Sequence, residues 1–477
     1  MIQPDGLVAI VKRDCPTCVL IAPVLADMRE RLGLTLTIYS QDDPLFPEST
    51  RGSLDDTDLG VSFALNIEAV PTLLRFKNGI EVARTVGWSR EHWEEICGVS
   101  DLGVGLAPFR PGCGSRTQEP AIAEARALAD RAAALSSRSI PIGEEEDEFE
   151  AMFDRGWSDG LPLVPPTTLR VARMLDGTNR APHDIVAVVP PNLVECTVEK
   201  VAINAVMAGC RPDYLPVVLA AVEASCTETF NMHGLLATTY FSGPVVIVNG
   251  PISKTIGMNS GINALGQGNR ANATIGRALQ LVIRNVGGGR PGGVDRATLG
   301  QPGKYTFCFA EHEGTSWGTI ATERGFAPAQ NAVTIFAGEG VRGVVDQLSR
   351  TPESLTRSIA ECLLTTAHPK LAVAFDAMLI ISPEHLRVFE EGGWSRKKFR
   401  DELEGLLLLN GSAHSRGSRE IMEGMPEELS EMQLPKFRER GLLIAHAGGG
   451  AGLFSAIVGG WVGGSLGSES VTLEIGQ

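Results

Sequence analysis

Leu7-Val-Ala-Ile-Val-Lys12-Arg-Asp-Cys15-Pro-Thr-Cys18-Val-Leu-Ile-Ala-Pro23-Val-Leu25 joins two apolar runs through a turn that carries two cysteines. The first run, residues 7–12, reads as a buried strand, and the pattern from Val19 to Leu32 has a helical period. Cys15 therefore ends a strand-to-helix loop, and Cys18 lies one turn into the helix. A helix N-terminus carries partial positive charge and free N–H groups. A thiolate placed there is stabilised and its pKa falls. The spacing predicts Cys15 as a nucleophile that attacks a disulfide and Cys18 as the thiol that releases the mixed disulfide. The competing reading is half of a zinc site, which needs a second pair of ligands. No second Cys-x-x-Cys occurs in the chain.

Working outward, Leu34-Thr-Leu-Thr-Ile-Tyr39 alternates as a second strand, and the polar residues 41–58 read as a surface insertion. Thr72-Leu-Leu-Arg-Phe76 and Glu81-Val-Ala-Arg-Thr-Val86 flank Lys77-Asn78-Gly79, a hairpin signal. Ser89 to Cys97 reads as a closing helix with Ser89 as its cap.

Residues 1–100 resemble the thioredoxin family. Cys15 to Leu25 resembles that family's active-site helix, with Pro23 matching its helix-kinking proline. Val70-Pro71-Thr72 is similar to its cis-proline turn, and Gly87 matches the glycine after its last strand. The resemblance implies a thioredoxin-like fold, a redox-active Cys15–Cys18 disulfide and a place for Pro71 beside the dithiol. Three features depart from the family. Asp14 stands where it has Trp, Pro16-Thr17 replaces Gly-Pro, and the first strand has no buried acid. Asp14 would place negative charge near Cys15 and oppose its ionisation.

Residues 101–155 read as a linker and an acidic helical segment. The stretch 101–118 is rich in Gly and Pro, a helix is expected from about Glu119 to Leu135, and Glu144 to Glu150 is an acidic run. Cys113, in Pro111-Gly-Cys-Gly-Ser-Arg116, is either an inert linker cysteine or a tethered relay for electrons from Cys15 and Cys18. Residues 156–477 form a larger region. It has apolar helices at Thr197–Cys210, Pro212–Cys226 and Asn272–Val286. Its buried strands are at Val245–Val248, Leu371–Phe375, Met378–Ile381 and Leu442–Ala445. Strands and helices alternate, so the expected class is α/β, a thioredoxin-like domain joined to a larger α/β domain.

Several polar clusters mark the large region. Gly257 to Gly276 holds Asn263, Asn269 and Arg270 among glycines ahead of an apolar helix. Glycines free backbone N–H groups, and a helix start favours an anion. These residues are candidates for a small anionic substrate; a purely structural loop is the other reading. Gly266-x-Gly268-x-x-Ala271 lacks both the preceding strand and the later acid of a dinucleotide site. Gly287 to Asp295 is a possible second nest with Arg290 as its cation, or a helix cap and turn. Cys308, Glu311, His312 and Glu313 lie together in sequence. Cys308 and His312 would share one face of a strand, as nucleophile and acid/base or as metal ligands in a lyase. His446 ends a strand before Gly448, where such sheets place ligands. His233 and Asp159 read as a core histidine and an Asx turn. Cys196, Cys210 and Cys226 read as structural.

From Gly156 onward the chain resembles a poorly characterised group of bacterial proteins. The resemblance rests on Gly156-Trp-Ser-Asp-Gly-Leu-Pro162, Ala205 to Pro216 and Asn263 to Asn272. That group is associated with small proteins carrying a Sec/Cys-Gly-Ser-Cys motif, which implies thiol or selenol chemistry and such a partner protein.

The net charge of −15 argues against a nucleic-acid partner. Gly441 to Gly467 is apolar, but its glycines point to buried turns and not a membrane helix. Nine scattered cysteines and no signal-like start suit the reducing cytoplasm. Apolar helices and the glycine-rich C-terminus favour a homo-oligomer. The expectation is a thiol-dependent redox enzyme whose dithiol supplies electrons or thiol-bound sulfur to the large domain. The alternatives are disulfide exchange on a partner protein and the metal-dependent lyase.

Overall fold

The computed structural model describes residues 5–50, 52–368, 371–415 and 427–476. The chain forms two compact units, Met1–Asp130 and Arg131–Gln477. Both mix helices and strands, in line with the expected α/β class.

In the first unit the apolar run forms strand β1 (Gly6–Val11), and helix α1 (Pro16–Glu30) follows the cysteine turn. Pro16 occupies the first turn, where its missing N–H costs nothing. Strand β2 (Leu36–Ser40) and the two-residue β3 (Leu54–Asp55) continue the sheet. Strand β4 (Thr72–Lys77), strand β5 (Ile80–Val86) and helix α2 (Arg90–Cys97) complete it. The sheet order is β3-β2-β1-β4-β5, with β1 parallel to β2 and antiparallel to β4. Central placement explains why β1 reads as an unbroken apolar run: Val8, Ala9, Ile10 and Val11 are all buried. Residues 41–58 are more than a surface insertion. They supply β3 and bury Asp56, whose carboxylate accepts from the backbone N–H of Val61 at 2.8 Å and of Ser62 at 3.1 Å.

The stretch 101–118 is not a free linker. Phe109–Arg110 pairs with Trp88–Ser89, and Cys113–Gly114 pairs with Ala69–Val70. Side chains fasten both ends. The Trp88 indole donates to Ala107 O at 2.7 Å, and Gln41 Nε2 donates to Ser115 Oγ at 2.7 Å. Gly87, with φ of +73°, permits the closest approach: a Cβ there would lie 2.7 Å from Gly112 N.

The second unit is built on a seven-stranded mixed sheet. Its strands are β6 (Gly243–Asn249), β7 (Cys308–Ala310), β8 (Ala332–Val345), β9 (Phe375–Ile381), β10 (Leu442–His446), β11 (Phe454–Val462) and β12 (Val471–Glu474). The order is β7-β6-β8-β11-β9-β10, with β12 also on β8. Helices α3 (Val198–Ala208), α4 (Leu215–Ser225) and α5 (Arg270–Asn285) cover one part of the sheet. Helices α6 (Pro352–Leu364), α7 (Pro383–Glu391) and α8 (Arg396–Leu406) cover another.

The period-2 geometry of a strand divides its side chains between two cores. Val246 and Val248 face the α3–α5 helices, while Val245 and Ile247 join Phe309, Phe336, Met378, Ile380, Leu443 and Val458. That second cluster draws on six strands, so the sheet curls around it. The ends of its two edge strands meet, and His312 N–H donates to His446 O at 2.7 Å. Leu371–Phe375 is not a separate strand; β9 begins at Phe375. The apolar stretch 441–467 forms β10 and all of β11. Gly460 is needed because a Cβ there would lie 2.6 Å from Asp376 O on β9. Among the described residues no helix is long and apolar enough to cross a membrane.

The proline-rich turn at Gly156 is pinned to α5. Leu161 N–H closes an Asx turn on Asp159 at 3.2 Å, and Arg277 holds the Asp159 carboxylate through two bonds of 2.8 Å. Both side chains are largely buried. Arg277→Met strands a desolvated carboxylate, and urea denaturation is expected to show a loss of about 3 kcal/mol. The double variant with Asp159→Asn should lose less than the two single losses added together.

Candidate functional site

The dithiol is organised by the first turn of α1. Cys15 is the N-cap residue, with extended φ and ψ of −143° and 110°, and its Sγ accepts from Cys18 N–H at 3.3 Å. In its neutral form the Cys15 thiol also reaches Val70 O, at 3.5 Å. The Val70–Pro71 peptide bond is cis, which puts Pro71 next to this contact. Cys15 is 1% exposed and Cys18 is fully buried.

These surroundings push the two thiols apart. The Cys15 thiol is lowered to about 5, chiefly by the hydrogen bond from the Cys18 thiol. Cys113 and the N–H groups of Cys18 and Thr17 add to this, against the cost of burial. Cys18 is raised far above the ordinary thiol range by burial and by the Cys15 thiolate. The pair therefore holds one proton on Cys18 and one negative charge on Cys15. Asp14 is exposed, and its charge does not prevent this.

A third thiol completes the site. In the Cys113–Gly114 pairing Cys113 lies opposite Val70, the residue whose carbonyl Cys15 touches. The Cys113 thiol hydrogen-bonds to Cys15 and is itself raised, by burial first and by Cys15 second. Thr17 Oγ1 donates to Pro111 O at 2.8 Å, which fastens the covering segment to α1. Cys113 is thus fixed beside Cys15 and only partly buried, where the sequence left an inert linker thiol or a tethered relay. The motif Cys15-x-x-Cys18 gave no signal for a third partner about a hundred residues away.

In the second unit, Cys308 and His312 are not brought together. Cys308 points into the apolar core beneath α5, where burial raises its thiol well above the ordinary range. That environment favours the neutral thiol and gives no activated nucleophile. Cys196, Cys210 and Cys226 are raised to about 12 by burial, as suits structural thiols. His312 lies beyond the end of β7 and meets His446 instead.

His312 and His446 line a cavity of about 190 Å³ with Thr315, Pro383, Arg387 and Glu390. Both ring nitrogens of buried His446 lack a hydrogen-bond partner among the described residues, and the Trp317 ring stands edge-on to it at 5.9 Å. Burial, with the charge of Arg396 and His312, lowers His446 to about 3, so its ring is neutral near pH 7. Glu311 is buried behind it. Its carboxyl accepts from Asn249 Nδ2 and Ile320 N at 2.9 Å and from His446 N at 3.3 Å. Burial outweighs those bonds and raises Glu311 to about 7. The cavity is smaller than the ~300 Å³ at which ordinary ligand pockets begin. Among the described residues no group of three or more His, Cys, Asp or Glu is placed to hold a metal ion.

The polar loop before α5 spends its side chains on itself. Asn269 caps the helix and donates to Gly257 O at 2.8 Å, Asn263 donates to Gln267 O at 2.7 Å, and Arg270 donates to Gly209 O at 2.9 Å. None of the three lines the cavity at His446. The exposed Arg290 guanidinium lies against Gly156. His233 is exposed on a short helix and is not a core histidine. Asn249, Trp317 and Arg396, which surround Glu311 and His446, had no sequence signal because they come from separate elements. No protein-family model and no characterised protein matches the chain.

In the reduced protein, thiolate absorbance is expected to titrate with a midpoint near pH 5, against about 8.5 for an ordinary thiol, and to vanish in Cys15→Ser. The folded-state value is the lower one. The thiolate's contribution to stability is therefore complete above the ordinary thiol pKa and lost as pH falls through about 5. Cys113→Ala should raise the midpoint, while Cys113→Ser, which keeps a donor, should hold it.

Glu311 has the opposite sign. Its folded-state value of about 7 exceeds the ordinary 4.5, so its contribution is present below pH 4.5 and lost as pH rises through 7. Urea midpoints measured across that window should fall in the wild type, and Glu311→Gln should remove this component.

Proposed function

We propose that the chain is a thiol–disulfide oxidoreductase in which Cys15 is the exchanging nucleophile and Cys18 the resolving thiol. The observation that carries this reading is the division of one proton and one charge between two thiols at a helix start. A thiolate of low pKa is both present near neutral pH and a good leaving group. The resemblance of residues 1–100 to the thioredoxin family supports the same chemistry.

The covering segment shapes the route. Cys15 is buried beneath Pro111–Cys113, and Cys113 is the most accessible of the three thiols. Once the Pro111–Cys113 cover is displaced, the Cys15 thiolate attacks an incoming disulfide R–S–S–R′, forms Cys15–S–S–R and releases the R′ thiolate, which takes a proton from water. Cys18 then attacks the Cys15 sulfur, passes its proton to the departing R thiolate and closes the Cys15–Cys18 disulfide. One substrate disulfide is reduced to two thiols, and one protein disulfide is formed. In reverse, the same steps oxidise a dithiol.

The electrons serve either a small anionic substrate handled by the second unit or a partner protein, including a thiol or selenol protein. Covalent fusion of the dithiol to a large α/β unit favours the first. The metal-dependent lyase is not carried forward, because Cys308 is committed to the core and lies apart from His312.

The double variant Cys18→Ser/Cys113→Ala, incubated with cell extract, is expected to accumulate a mixed disulfide on Cys15, because neither neighbouring thiol is left to release it. An adduct with a small thiol assigns the electrons to the second unit, and an adduct with another protein assigns them to that partner. Absence of any adduct on Cys15, with that cysteine fully alkylated in the same variant, overturns the proposal.

A further inference from the structure

Three cavities in the second unit differ in how their polar groups are satisfied. In the largest of them, about 770 Å³, no lining residue has a buried side-chain polar atom without a partner among the described residues. Glu323 binds Arg396 and Arg400, and Arg438 binds Asp376 and Glu469. The His446 cavity is too small for more than a few atoms. The third, of about 560 Å³, is different.

Four of the residues that line it each carry a buried side-chain polar atom with no hydrogen-bond partner among the described residues: Ser242 Oγ, Gln280 Nε2, Arg284 Nε and Gln301 Nε2. Ser242 is 1% exposed. Buried donors without partners are rare in folded proteins, because each loses water and gains nothing in return. Gln280 and Arg284 are one turn apart on α5 and so share a face. Ser242 comes from the residue before β6, and Gln301 from the loop before β7. Donors from three separate elements thus converge on one space.

The charges give the sign of the ligand. The two carboxylates on the wall are already committed, Asp159 to Arg277 and Asp295 to Lys304, each at 2.8 Å. Arg284 makes no ion pair among the described residues; the nearby Arg290 adds positive potential, and the only opposing charge Arg284 feels strongly, Asp159, is already held by Arg277. A guanidinium stays protonated in proteins, so the wall presents one uncompensated cation. Met232, Leu235, Leu236 and Ile283 supply apolar lining to the same cavity. The volume lies within the ~300–1,000 Å³ range of small-molecule sites.

We propose that this cavity binds an organic monocarboxylate with an apolar body. Arg284, Gln280 and Gln301 hold the carboxylate oxygens, and Ser242 supplies a further hydroxyl. A carboxylate is favoured over a phosphate ester because one free cation balances one charge, and no second free cation lines the wall among the described residues. The site differs from the loop that the sequence nominated at Asn263, Asn269 and Arg270. It does include the glycine turn around Arg290, through Gly289 and Gly292. It does not depend on the dithiol, so its failure would leave the oxidoreductase reading standing.

Calorimetric titration of the full chain with hexanoate, hexan-1-ol and hexyl phosphate tests the assignment. Hexanoate is expected to bind at least about ten-fold more tightly than hexan-1-ol, the difference that one charge-assisted hydrogen-bonding site provides. Arg284→Gln should remove that preference while leaving hexan-1-ol affinity unchanged. Gln280→Leu keeps the cation, deletes one donor and should weaken hexanoate several-fold, a second route should Arg284→Gln fail to fold. Equal binding of hexanoate and hexan-1-ol, no binding of hexanoate, or tighter binding of hexyl phosphate overturns the proposal.

Discussion

One proton is shared by two buried sulfurs at the start of α1, and the geometry around it decides the character of the first unit. Burial alone would raise both thiols, as it does at Cys196, Cys210 and Cys226. Cys15 escapes because its sulfur collects hydrogen bonds from Cys18, Cys113 and two backbone N–H groups. Cys18 bears the cost, held neutral by burial and by its neighbour's charge. The turn depends on β1 delivering the chain to the helix start, and β1 is fixed by strands on both sides. The covering strand at Cys113 depends on Val70, so cover and nucleophile share one anchor.

The second unit follows a different constraint. Its sheet is covered by helices on the outside and curled around a shared cluster on the inside, so most strand residues are buried. Where the sheet ends, backbone groups lose their ladder partners and need others. Glu311 supplies them: its carboxyl ties Asn249 on β6, Ile320 and His446 on β10 to one point. Holding the two edge strands together there places His312 and His446 side by side, with a neutral imidazole facing the small cavity.

The two kinds of polar site divide cleanly. Asn263, Asn269, Arg270 and Asp159 are satisfied within the fold, as caps, turn braces and ion pairs. Ser242, Gln280, Arg284 and Gln301 each keep a buried polar atom without a partner among the described residues. A polar group that folding leaves unmatched is the physical trace of something outside the fold.

The sequence alone determined the local features. The apolar run and Cys15-x-x-Cys18 located the dithiol, the cap at Ser89 marked a helix start, and the alternation of strands and helices gave the α/β class. These rest on neighbours within about a turn of helix or a strand length, which composition and period record directly. Only the tertiary structure decided the rest. It turned the supposed linker into the strand that sets Cys113 against Cys15, and it buried Cys308 in a core. It also joined His312 to His446 and set Gln280 and Arg284 opposite Gln301. The reason is physical: each of these depends on which polar groups are left without partners once distant segments have met. That balance is settled by burial and hydrogen bonding across the fold, and no spacing along the chain encodes it.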